Sequence, residues 1–218
     1  IRDILVVFNQ KMALKTLVLV GNTIKNETSE IVFPKSLLVL DLHESGIDAV
    51  GTQRLKLPVN LQELYLEFNK IGPLGVQGLE LPPRLEILNL QSNKIGPEGI
   101  QSLKLPSSLQ TLYLDFNNIG SEGAWGLNLT QTPSLQTLHL SYNEMRDVGA
   151  QGLQLPTNLR VLNLIGNQIG PAGAQDLKLP QSLQVLSLSA NEIGPEGAQR
   201  LQLPVSLEEL YLGYNGIN

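Results

Sequence analysis

Apolar residues recur along this chain at fixed intervals, in a frame L-x-x-L-x-L-x-x-N. It begins at Leu37, Leu61, Leu85, Leu109, Leu135, Leu159, Leu183 and Leu207, in steps of 24 residues except for one of 26. Within the unit Leu85–Ser108, Leu88 and Leu90 stand two apart and so point to one side of an extended segment, with Ile87, Asn89 and Gln91 on the other. Each unit therefore predicts one short strand with an apolar inner face. Asn93 ends the strand, because a side-chain amide has both donors and an acceptor for the backbone groups of a turn. The same position holds Asn69, Asn117, Asn143, Asn167, Asn191 and Asn215, whereas Ser45 offers only one donor and predicts a weaker turn. Beyond the asparagine, Gly96 permits a turn, Pro97 suits the first helical positions, and Glu98 complements a helix N-terminus. A helix of about two turns is unstable alone, so Ile100, Leu103 and Leu105 must pack inward, and Pro106 stops it. Gly99 costs roughly 1 kcal/mol against alanine inside such a helix. Glycine nevertheless returns as Gly51, Gly75, Gly123, Gly149, Gly173 and Gly197, which predicts close approach of neighbouring helices.

A unit repeated at this period buries its apolar face only against copies of itself, so the architecture expected is a solenoid. The predicted fold is α/β: a curved, right-handed stack with a parallel sheet on the concave face and short helices on the convex face. Residues 37–218 form the regular solenoid. Residues 1–36 are irregular N-terminal repeats or a cap, continuous with it in one domain; Ile1, Ile4, Val6 and Asn9 fit a shortened first repeat. The last unit breaks off just after its strand, so a further segment or a frayed end is expected there.

Composition narrows the function classes. The formal charge of −5 has no acidic or basic runs, so the electrostatic footprint of a nucleic-acid binder is missing. No apolar stretch of membrane-spanning length and no signal segment are present. With no cysteine there is no disulfide, thiolate metal site or thiol nucleophile. That favours an intracellular over a secreted setting, although Asn26-Glu27-Thr28 and Asn128-Leu129-Thr130 are glycosylation sequons. No cofactor and no metal are expected, and a monomer is.

The frame resembles the leucine-rich repeat, and its I-G-x-x-G-A-Q-x-L tail is similar to the ribonuclease-inhibitor-like subclass in a short, GALA-type form found in bacterial effectors. The likeness covers Leu37 to Asn218 strongly and Leu14 to Ser36 more weakly. It implies a protein-binding module, as the recognition arm of a larger effector or sensor protein or as a unit in its own right.

In such a stack the repeated letters hold the fold and the variable ones face the partner. The middle outward strand position reads Asp41, Tyr65, Asn89, Tyr113, His139, Asn163, Ser187 and Tyr211. The position before the ladder asparagine reads Glu44, Phe68, Ser92, Phe116, Tyr142, Gly166, Ala190 and Tyr214. Aromatics in the two columns come in pairs. Tyr65, Tyr113, His139 and Tyr211 are the candidate anchors, since aromatic residues dominate interface hot spots; for Phe68 and Phe116, filling the loop core competes equally with contact. Asp41, Glu63, Glu67, Asp115 and Glu209 share the outward parity, and Glu67 and Asp115 are candidate steering charges for a basic protein surface. Ordinary solvation of an exposed sheet is the competing account. A glycan stacked along the aromatic row, or a purely structural spacer, are the alternative functions.

On the helix side glutamine recurs as Gln53, Gln77, Gln101, Gln151, Gln175 and Gln199, but Trp125 interrupts the column. The same unit carries the two-residue insertion at Thr130-Gln131-Thr132-Pro133, and the next replaces its tail with Met145-Arg146-Asp147-Val148. Trp125 either forms a second binding patch or covers the insertion. An enzyme is not expected. His139, Ser141 and Asp115 suffice in type for acyl transfer, yet an open sheet face offers neither a pocket nor an oxyanion hole. His43 and His139 are four repeats apart, roughly 20 Å, so they cannot share a metal.

Overall fold

The structure, a computed structural model, describes residues 13–24 and 31–217. The proposed shortened first repeat at Ile1–Asn9 and the sequon at Asn26 lie outside the described residues. Among those described, nine three-residue strands form one sheet: β1 (Thr16–Val18), β2 (Val39–Asp41), β3 (Glu63–Tyr65), β4 (Ile87–Asn89), β5 (Thr111–Tyr113), β6 (Thr137–His139), β7 (Val161–Asn163), β8 (Val185–Ser187) and β9 (Glu209–Tyr211). They are parallel and run in chain order, so each unit adds its strand beside the previous one. The register never slips. Leu17, Leu40, Leu64, Leu88, Leu112, Leu138, Leu162, Leu186 and Leu210 are aligned across the whole sheet.

Between successive strands from β2 onward lies one short helix: α1 (Ala49–Gln53), α2 (Gly72–Gln77), α3 (Gly96–Ser102), α4 (Gly120–Gly126), α5 (Arg146–Gly152), α6 (Pro171–Asp176) and α7 (Gly194–Arg200). The leucine column is sealed between the two layers; Leu40, Leu64, Leu88, Leu112, Leu138, Leu162 and Leu186 are fully buried. Each such leucine contributes about 1.5–3 kcal/mol by leaving water. Strands stack closer than helices do, so the sheet lines the inner side of the bend.

The helical glycines are where adjacent turns meet. A Cβ on Gly99 would lie 2.9 Å from Pro73 Cα, one on Gly123 3.0 Å from Pro97 Cα, and one on Gly173 2.7 Å from Asp147 Cα. A methyl group there would push the preceding helix away, which offsets the propensity cost of glycine.

The asparagine ladder ties the strand ends together. Asn117 Nδ2 donates to Leu90 O of the preceding unit at 2.9 Å and to Leu114 O of its own at 3.0 Å. Its Oδ1 accepts from the backbone N–H groups of Asn93 and Ile95. Every unit from Asn69 to Asn215 repeats the Nδ2 bond across to its predecessor. Ser45 is fully buried and keeps a reduced version, its hydroxyl facing Leu19 O at 3.2 Å and His43 O at 3.3 Å. One O–H serves these two acceptors where asparagine brings two N–H groups.

Both sequence departures are absorbed locally. In the insertion, Asn128 Oδ1 accepts from Thr130 and buried Thr132 donates to Leu129 O, a compact turn that leaves Thr111 aligned with Thr137. In the altered tail, Met145 fills the isoleucine site in the core, and Arg146 takes the left-handed backbone that Gly72, Gly96, Gly120 and Gly194 hold in other units, whereas Gly170 of the next unit is extended. Asp147 Oδ1 accepts from Gly170 N–H at 2.6 Å, so this carboxylate fastens the next unit. Among the described residues, no helix is long and apolar enough to cross a membrane.

Candidate functional site: the outward face of the sheet

At the end of each strand one backbone N–H emerges two residues after the middle outward position. In three units a short side chain at that position takes it: Asp41 Oδ1 accepts from His43 N–H at 3.1 Å, Asn89 Oδ1 from Gln91 N–H at 3.0 Å, and Asn163 Oδ1 from Ile165 N–H at 3.2 Å. An aromatic ring carries its polar atom too far out to do this. Where Tyr65, Tyr113, His139 and Tyr211 stand, the backbone gives up that local acceptor, a bond worth about 1 kcal/mol. Glu67 turns its carboxylate back onto its own N–H, and Ser141 N–H is met by Asp115 Oδ1 of the preceding unit at 2.6 Å.

Asp115 is thereby corrected. Its outward parity suggests a free surface charge, but it is only 7% exposed and braces the adjoining turn. The strand has ended, so the next unit's N–H has no ladder partner and a short carboxylate reaches it. Asp41 is similarly engaged with His43, whose Nδ1 lies 2.8 Å from its Oδ1. Ser141 is buried with its backbone held by Asp115, while His139 Nδ1 faces Asn163 Nδ2 at 3.3 Å. Burial holds the His139 imidazole below its ordinary pKa, and the Asp115 charge opposes that in part.

The tyrosines are tethered to carboxylates on their own strands. Tyr65 donates its hydroxyl to Glu63 Oε2 at 2.9 Å, and burial followed by this bond pushes the phenol pKa to about 12. Tyr211 donates likewise to Glu209, whose hydrogen bond and charge raise its pKa. Tyr113 leans on His139 with ring centroids 4.7 Å apart. Glu67 has a raised pKa, chiefly from burial, and its Oε2 is enclosed without a hydrogen-bond partner.

The second column has a different constraint. Glu44, Phe68, Ser92, Phe116, Tyr142, Ala190 and Tyr214 all have φ between 52° and 59°, and Gly166 has 67°. Every unit turns left-handed just before its ladder asparagine. Glycine does so freely, while a bulky side chain pays about 1–2 kcal/mol. Phe68, Phe116 and Tyr142 nevertheless stand there about half exposed, and Tyr214 is 92% exposed. These rings do not fill the loop core. Phe116 and Tyr142 stack face to face at 4.6 Å, and Tyr142 continues over the open backbone of Gly166.

The Leucine Rich repeat family matches six segments of the chain, 59–79, 83–104, 106–125, 131–153, 156–178 and 180–201, and a further Leucine Rich Repeat family matches 13–30. The chain belongs to the leucine-rich repeat family. Among solved structures it is similar to a leucine-rich repeat protein of Leptospira interrogans, with 27% identity and a TM-score of 0.54. That likeness covers 86% of this chain and 46% of the other, so the chain spans less than half the length of that protein. No curated protein matches the chain. Leucine-rich repeats generally mediate protein–protein interaction and are typically non-enzymatic.

Sequence reasoning about this leucine-rich repeat left Phe68 and Phe116 between loop filling and contact and did not single out Tyr142, yet all three stand about half exposed. The signal that could have found them is Gly166, which stands in the same column and betrays a left-handed position in every unit. On the opposite side, Trp125 lies not over the insertion but over the following unit. Its Nε1 donates to Val148 O at 2.7 Å, the place in the stack where Gln53 Nε2 meets Leu74 O and Gln101 Nε2 meets Glu122 O.

Proposed function

We propose that this chain is a non-catalytic recognition module that binds a protein partner on the sheet face. The anchors are Tyr65, Tyr113, His139 and Tyr211 in the first column and Phe68, Phe116 and Tyr142 in the second. One observation carries the reading: aromatics occupy the two columns where the backbone is better served by aspartate or asparagine and by glycine. Residues kept against local stability and left exposed are those expected at a functional surface. The outward strand positions bear Asp41, Glu63, Glu67, Asp115 and Glu209 and no lysine or arginine, which suits a partner with a basic surface. Asp115 acts there mainly as a brace, with the others supplying the field.

The test is a comparative pull-down with the intact chain and a Tyr65→Ala, Tyr113→Ala, Tyr211→Ala variant at low and moderate salt. A protein retained by the first, lost from the second and weakened by salt supports the reading. Equal recovery on both baits rules out the tyrosine row.

A further inference from the structure

The helix side carries a second, chemically distinct feature around Trp125. The glutamines of this column already supply the N–H that reaches the next helix, so the hydrogen bond to Val148 O does not account for a tryptophan. What the substitution adds is an indole ring, 57% exposed. That ring is fixed. A Cβ on Gly152 would come within 2.2–2.4 Å of Nε1, Cδ1 and Cε2, so the indole lies directly against the glycine backbone while its N–H is pinned by Val148. One side rests on the fold and the remainder stays open.

The ring borders two clefts, of about 730 Å³ and 260 Å³, both of which also reach Gln151 and Lys178. The larger continues past Gln175 to Gln181 and Gln202. Gln151 is already engaged with Asp176 Oδ2, and Gln175 with Arg200. Gln181 and Gln202 hold no hydrogen bond among the described residues and stand exposed at the far end. Asp176 and Lys178 offset each other in charge.

We infer that this groove binds a neutral oligosaccharide, one pyranose ring stacked on the Trp125 indole and the hydroxyls of sugars further along held by the amides of Gln181 and Gln202. The negative face of an aromatic ring attracts the weakly positive C–H face of a sugar ring. An amide offers donors and an acceptor together, which matches hydroxyls that do both. The lining is mixed, with Leu177, Leu179 and Leu203 beside the amides, and the polar groups present the larger share of its surface, which suits a hydroxylated ligand with apolar C–H faces better than a wholly apolar one. β-linked glucans fit best, because their rings present a broad face of axial C–H bonds.

Trp125 is the chain's single tryptophan, so its fluorescence reports this site alone. The experiment titrates the intact chain with cellohexaose, laminarihexaose and maltohexaose. The expected result is a saturable emission change with at least one β-linked hexaose, weakened about tenfold or more in a Gln181→Ala/Gln202→Ala variant and in Gly152→Ala, which dislodges the ring. Calorimetry on Trp125→Gln, the residue native to this column, should detect no binding while the circular dichroism spectrum is kept. Absence of a saturable change with all three sugars up to about 10 mM overturns the proposal, as does unaltered affinity in the glutamine variant. Loss of a captured protein from Trp125→Gln, without sugar binding by the intact chain, would make this a protein contact instead. Sheet-face variants should leave sugar binding intact, so this proposal and the one above fail independently.

Discussion

Strands β3 to β6 and strands β7 to β8 share one backbone and differ in what they offer. Both stretches bury the same leucines, keep the same register and carry unbroken ladder asparagines. The first presents Tyr65 with Phe68, Tyr113 with Phe116, and His139 with Tyr142, interrupted at β4 by Asn89 with Ser92; the second presents Asn163 with Gly166 and Ser187 with Ala190. In the second stretch Asn163 caps its own strand end and Gly166 adopts its left-handed turn without strain. The comparison separates two demands on one scaffold. Stacking is met by small and amide residues, and aromatics are an addition that stacking does not require.

If the scaffold is the same in both stretches, breaking the ladder should hurt them equally. Asn117→Ala and Asn167→Ala each remove Nδ2 donors to backbone carbonyls and leave buried N–H groups unmet, and each should cost about 3 kcal/mol. Urea midpoints measure this; a large difference between them would mean that the aromatic stretch helps hold the stack. Gly166→Phe would carry the aromatic column into the plain stretch. A side chain there is strained by φ of 67° and would meet the Tyr142 ring at 2.4 Å, so a loss of about 2 kcal/mol in thermal unfolding is expected. No loss would show that the plain stretch could have carried aromatics freely. Asp115→Ala strips the brace from Ser141 N–H and should cost about 1–2 kcal/mol while altering partner capture little at moderate salt.

The smallest expected effect is a pH dependence. Because the folded chain holds His139 below its ordinary value, the unfolded state binds more protons as pH falls through about 6.5. Stability from this residue is therefore present above that pH and lost below it. His139→Asn, the residue found one unit later at Asn163, should flatten the unfolding profile between about pH 5 and 7. An unchanged profile would assign the acid sensitivity elsewhere.

Much of this was legible in the letters. The frame of leucines dictated the strands, their parallel order and the core, because a fixed period leaves one way to bury each apolar face. Gly99 and its equivalents announced the close approach of helices through their cost. The outward columns were also readable, since strand parity is strict. Parity does not reveal which outward side chain is occupied by the backbone. Asp115 points outward and is still consumed by Ser141 N–H one unit away, a contact that depends on side-chain length and on where the ladder stops. Backbone handedness is equally hidden at Phe68 or Phe116 taken singly, and Gly166 reveals it only by alignment. Trp125 stood out as an oddity, but its seat on Gly152 needed the fold.

The account rests on the claim that the second-column aromatics are kept for contact and not for stability. A variant combining Phe68→Asn, Phe116→Asn and Tyr142→Gly gives that column residues that tolerate its left-handed backbone. The account predicts an unfolding free energy unchanged within about 1 kcal/mol, or raised, because relief of strain offsets the lost ring stacking, together with loss of the captured partner. Destabilisation by several kcal/mol, or full partner recovery with the fold intact, would contradict it.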